Sequence, residues 1–175
     1  MKDKIIEKTI EMIETSNGDI ADISIRKIAK ELNIAVGLVN YHFGSKDDLI
    51  ELCVERIIAK QVSIHKQSSS NDKKEIAYQT AIEVADYLWS NKAVSKISIL
   101  SDLKKPNQND NSMKSVRGMT FFLEDDSRKF DVFLLVSTMQ TIFLKEDIVR
   151  DLGFDLSIKE ERDRLMKYLV NKLLF

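Results

Sequence analysis

The 175-residue chain is poor in everything that interrupts or crosslinks a helix. One proline and five glycines leave few breakers, so long helices are favoured over a turn-rich sheet. A single cysteine excludes an internal disulfide framework and fits a reducing cytoplasm. With only two histidines, His42 and His65, far apart in sequence, no metal-ligand spacing is legible. No apolar run approaches ~18 residues, and no charged-then-apolar leader opens the chain, so neither a membrane span nor a signal peptide is expected. Nucleophile elbows, phosphate loops and paired carboxylates in a defined context are missing too, which makes an enzyme the remote reading. What remains is a chain with 43% hydrophobic residues, enough for a packed core, and a net charge of −1.

Against that background one stretch stands out: residues 24–46, SIRKIAKELNIAVGLVNYHFGSK. Ser24 suits a helix N-cap, its side-chain oxygen taking an orphan backbone N–H. Ile25, Ile28, Ala29 and Leu32 then recur at helical spacing and define one apolar face. Asn33 tolerates the left-handed conformation that stops a helix. A second helix is expected from about Ala35 to His42, with Val36, Val39 and Phe43 turned inward. Helix, tight turn and helix in this order make a helix-turn-helix, whose second helix is offered to the DNA major groove. Charge agrees locally. Residues 1–23 sum to −3, whereas 24–46 hold Arg26, Lys27, Lys30 and Lys46 against Glu31 alone and sum to +3.

Tyr41-His42-Phe43-Gly44-Ser45-Lys46-Asp47-Asp48-Leu49 resembles the junction after the recognition helix in the tetracycline-repressor (TetR) family of transcriptional regulators. The resemblance runs from about Ile5 to Val54, with IRKIAKELNI, GLVNYHF and SKDDLI its specific parts. It implies an all-α fold: a three-helix head over residues 1–48 and a helical effector-binding and dimerisation body over 49–175. It also implies DNA contacts from Ser24, Arg26, Lys27, Val36, Gly37, Leu38, Asn40, Tyr41, His42 and Lys46. Arg26 has the fork to bind guanine or phosphate. Gly37 lets the helix backbone approach DNA, and Lys46 stands at a helix N-terminus that itself favours an anion. His42 reads as a neutral hydrogen-bonding group at the helix end. The chain departs from the family pattern at Ala35, Leu38 and Asn40, where serine, threonine or serine, and tyrosine are common. Polar phosphate contacts are thereby shortened or lost, and readout leans on apolar contact of Val36 or Leu38 with thymine methyls.

Around the motif, periodicity predicts further helices. The first spans about 2–16, with Ile6, Ile10 and Ile13 on one stripe, and Asn17-Gly18-Asp19 signals a turn. Ser45 and Asp48 form a capping-box pattern opening a helix to about Val62. Residues 67–71 are the expected boundary between head and body. Body helices follow over about 72–90, 93–103, 114–123, 127–144 and 157–175, with an exposed loop at 104–112. Phe130, Val132, Phe133, Leu134, Leu135, Val136, Met139, Ile142, Phe143 and Leu144 wrap almost all round one helix, which must be covered on both sides. A homodimer through 127–144 and 157–175 would supply that cover, as would the centre of a monomer core.

Tyr78, Tyr87, Trp89, Met119, Phe122 and Met139 supply large adaptable apolar surface and are the candidates for an effector pocket, as the resemblance implies. Cys53 reads as packing. No cofactor is expected. Two functions remain open at this point. One is a dimeric cytoplasmic repressor released from a near-palindromic operator in double-stranded DNA by a small, mostly apolar ligand. The other is a constitutive DNA-binding or adaptor protein whose body binds a protein partner.

Overall fold

A computed structural model describes residues 1–16, 18–62 and 72–175, with 59–62 described in backbone only. The polar segment 67–71, expected as the head–body boundary, lies outside the described residues, as does Asn17. Ten α-helices and one short 3-10 turn are present among the described residues, and no strand. The all-α class follows directly from the scarcity of glycine and proline.

Two compact units form. The first contains α1 (Lys2–Glu14), α2 (Ile25–Glu31), α3 (Val36–Phe43), α4 (Lys46–Val62) and residues Asn91–Ser101, most of α6 (Lys92–Lys104). Its core is built from Ile5, Ile6 and Ile13 of α1, Ile28 and Ala29 of α2, Val39 of α3, Leu49, Ile50, Cys53, Val54 and Ile57 of α4, and Val94 and Ile97 of α6. Ile10, placed on the α1 stripe by periodicity, is half-buried, and Ile5 takes the fully buried position instead. Val36 is not inward as expected: it is 39% exposed, because only Val39 and Phe43 of the short α3 face the core.

The helix boundaries have local causes. Ser24 accepts a hydrogen bond from the Lys27 amide at 3.1 Å and caps α2. Asn33 adopts a left-handed φ of 51°, and the Ile34 amide bonds back to the Ala29 carbonyl at 2.9 Å. That closes α2 as a reversed-turn helix end and redirects the chain into α3. At the α3–α4 junction Gly44 takes φ 74°, which a side chain would oppose. The capping box then forms as expected: the Asp48 amide donates to Ser45 Oγ at 3.1 Å, and Ser45 Oγ donates to the Asp48 carboxylate.

The second unit contains α5 (Lys73–Ser90), α7 (Asn111–Leu123), the 3-10 turn Asp126–Arg128, α8 (Lys129–Leu144), α9 (Glu146–Asp151) and α10 (Lys159–Leu173). Ala77, Ala81 and Ala85 recur every four residues on α5 and are buried, and α5 packs chiefly against α10. On α10, Leu165, Met166, Leu169 and Val170 are buried, in a helix that packs on α5 and α8. The broad apolar face of α10 is therefore spent inside the unit. On α8 only one side is covered: Val132, Leu135, Val136, Met139 and Phe143 are buried, while Phe130, Phe133 and Leu134 are exposed.

Helix α9 was not anticipated, since six residues are too few for periodicity to register. The 104–112 loop is short and tied. Asp110 caps α7 through the Met113 amide at 2.8 Å, and Arg117 donates to the Gln108 carbonyl at 2.5 Å.

Candidate nucleic-acid interface

The first unit presents α3 with its outer face uncovered. Val39 anchors the helix at zero exposure, and the residues on the other side follow from the 3.6-residue repeat. Val36, Gly37, Asn40 and Tyr41 are exposed, and Leu38 and His42 are half-buried. Tyr41 is 83% exposed, its ring held edge-on to His42 at 5.4 Å. A large aromatic ring left in water on an eight-residue helix has no packing role inside its own chain. At Gly37 a Cβ would meet nothing within 4 Å, so the glycine is not demanded by packing within the unit. What it leaves is exposed backbone at position 37, beside Val36.

Cationic side chains flank this face on α2. Arg26, Lys27 and Lys30 are all exposed, and none pairs with an acid among the described residues. Glu31, the acid next to Lys30 in sequence, faces Lys8 of α1 at 3.7 Å. Lys8 also binds Glu11 at 3.0 Å, and this hydrogen bond, foremost, holds its ammonium above the ordinary range. The one acid of the motif is thus drawn toward α1, away from the three cations of α2. Ser24 uses a lone pair to cap α2, which leaves its hydroxyl proton for an outside acceptor.

Lys46 behaves differently. Its side chain is half-buried, and its ammonium donates to the Ile20 carbonyl at 2.5 Å. A sequence scan cannot see this partner, because a backbone carbonyl 26 residues upstream carries no side-chain signature.

The effector candidates differ in their settings. Met119 and Met139 are core residues, and Phe122 faces outward from α7. Tyr78 donates its hydroxyl to Asn171 at 2.8 Å, joining α5 to α10. Burial pushes the Tyr87 phenol up to about 12. Trp89 is nearly enclosed, with Phe143 edge-on at 5.1 Å and the Arg162 guanidinium 5.8 Å from its ring centre. In sequence Phe143 belongs only to the α8 apolar wrap, and Arg162 carries no signal, since a lone arginine in a charged helix start looks like surface. Among the described residues no group of His, Cys, Asp and Glu is placed to hold a metal, and no helix is long and apolar enough to cross a membrane.

Residues 5–53 match the model of the bacterial regulatory proteins of the tetR family. That match places the head, residues 5–53, with the TetR family. The head resembles a relative described as the HTH-type transcriptional regulator BetI 1 of Chromohalobacter salexigens, with 33% identity over 55 residues. That match covers 31% of this chain and about a quarter (26%) of the relative's length. Over nearly its whole length the fold is that of a TetR transcriptional regulator from Rhodococcus sp. RHA1 whose crystal structure is known. The TM-score is 0.61 at 17% identity, covering 98% of this chain and 95% of the other. Helices α2 and α3 both lie inside the stretch that matches this family of regulatory proteins.

Proposed function

We propose that the protein is a DNA-binding transcriptional regulator acting as a homodimeric repressor, with α3 of each head entering successive major grooves of a near-palindromic operator. The observation that carries this reading is the uncovered outer face of α3, beside three unpaired cations on α2. Val36, Leu38 and Gly37 meet base edges and thymine methyls, while Ser24, Arg26, Lys27, Asn40, Tyr41 and His42 reach phosphate or base polar groups. Pairing is supported by the exposed side of α8, where Phe130 is 67% exposed and stacks on Phe133 at 6.3 Å. Apolar surface comes from α8, while α10 contributes the exposed Tyr168 ring among Arg164, Lys167 and Lys172.

Release by a small, mostly apolar ligand is supported by the setting of Trp89, whose buried indole N–H has no acceptor and whose ring meets Phe143 on one side and the Arg162 guanidinium on another. The direct test compares binding to a mixed-sequence duplex with binding to one of its strands, over a salt series. Preference for duplex, with log affinity falling linearly in log salt, is expected. Absence of duplex binding at about 50 mM salt would overturn the proposal.

A further inference from the structure

We infer that Lys46 is a positioning residue that closes the helix-turn-helix at both ends, rather than a phosphate contact. The chain enters α2 through residues 18–24 and leaves α3 through Gly44 and Ser45. The Lys46 ammonium reaches from the exit back to the Ile20 carbonyl in the entry segment, so one charge-assisted hydrogen bond brackets the whole motif. Everything around that bond is held. Ile20 also accepts from the Ile23 amide at 3.2 Å, and Ile23 lies in the core at 2% exposure. Asp19 turns the segment by accepting from the Ala21 amide at 2.8 Å. Upstream, Gly18 is buried at φ 80°, packed on α6 so tightly that a Cβ would lie 2.9 Å from Lys96 Cδ and 3.4 Å from Ala93 Cα.

The entry segment is thus fixed on one side by α6 through Gly18 and on the other by α4 through Lys46. Both anchors act on the same few backbone residues, and those residues set where α2 begins. Because α2 packs on α3, a shift of the segment changes how α3 is presented. Gly18 and Lys46 then serve the same end, although one is uncharged and neither touches the outer face of α3.

The inference rests on the proposed DNA-binding function for one of its two readouts and stands apart from it for the other. The DNA readout uses a labelled duplex recovered by the wild-type protein from a random pool, compared with a scrambled duplex, across a salt series. For Lys46→Met, affinity for the recovered duplex is expected to fall about tenfold with the salt slope unchanged, and preference over the scrambled duplex to shrink. Gly18→Ala, which removes no charge, is expected to do the same, and Lys46→Arg to restore binding. A salt slope shallower by ~1 for Lys46→Met, with preference intact, would make Lys46 a phosphate contact and overturn the inference. Wild-type binding by Gly18→Ala would also overturn it. The second readout needs no DNA. Amide hydrogen exchange in Lys46→Met should quicken at residues 19–23 while the α1 core amides keep their protection. Unchanged exchange there would contradict the bracket even if no duplex were ever bound.

Discussion

Tyr41 and Cys53 show how differently two uncharged side chains of one head are placed. Tyr41 has a ring in water and no packing partner beyond His42. Replacing it with alanine should leave the melting temperature within about 2 °C, since surface changes fall within ±0.5 kcal/mol. DNA affinity should nonetheless drop several-fold; unchanged affinity in an anisotropy titration would remove Tyr41 from the interface. Cys53 is the reverse case. It is fully buried, and burial raises its thiol to about 12, with Arg56 pulling weakly the other way. At neutral pH the group is therefore a neutral thiol in the fold, and a thiolate is what alkylating agents attack. Iodoacetamide should react with it only when the head opens, so the labelling rate should rise with urea as stability falls. Fast labelling of the native protein in buffer would refute this. Because the folded value lies above that of the unfolded chain, ionisation opposes folding. Any pH effect from Cys53 is a loss of stability on raising pH from the ordinary thiol range toward 12, absent at neutrality.

At the scale of elements, the ends of the helices carry most of the instructions. Asn33 holds a left-handed φ of 51°, which β-branched residues oppose by roughly 1–2 kcal/mol. Asn33→Val should therefore lower head stability by about that amount, and Asn33→Gly should cost nothing or stabilise slightly. Denaturation of the two variants side by side checks this; equal stabilities would mean that the turn does not depend on the left-handed residue.

These ends were also the legible part of the sequence. Ser24, Asn33, Gly44 and the Ser45–Asp48 pair announce themselves because capping chemistry is local and uses few residue types. Periodicity placed the long helices within a few residues for the same reason. What stayed hidden was non-local. The partner of Lys46 is a main-chain oxygen, and Glu31 turned out to face Lys8, 23 positions earlier, not its neighbour Lys30. Val36 was assigned to both faces of α3 by its hydrophobicity, and only the packing of Val39 and Phe43 decides which. The α6 segment joins the head core through Val94 and Ile97, a pairing that no pattern within residues 1–62 could suggest.

For the whole molecule, the uneven cover of α8 is the main consequence. Phe121 is 74% exposed at the end of α7, and Phe130, Phe133 and Leu134 follow on α8. Buried aromatics contribute 150–250 Å² each, so rings of this size left in water favour association. The double change Phe130→Asp with Phe133→Asp should convert a dimer to a monomer in sedimentation. Both side chains are already exposed, so the fold should survive with its helical content intact. A dimer that persists would place the pairing surface elsewhere.

A monomeric variant should also bind a single half-site weakly, because two heads on one duplex gain from effective concentration. That expectation leads to the measurement that bears most directly on the account as a whole: selection of bound duplexes from a random DNA pool by the wild-type protein. The account predicts enrichment of an inverted repeat whose half-sites are centred about one helical turn, roughly 34–36 Å, or a multiple of it, apart. No enriched sequence at moderate salt would contradict it.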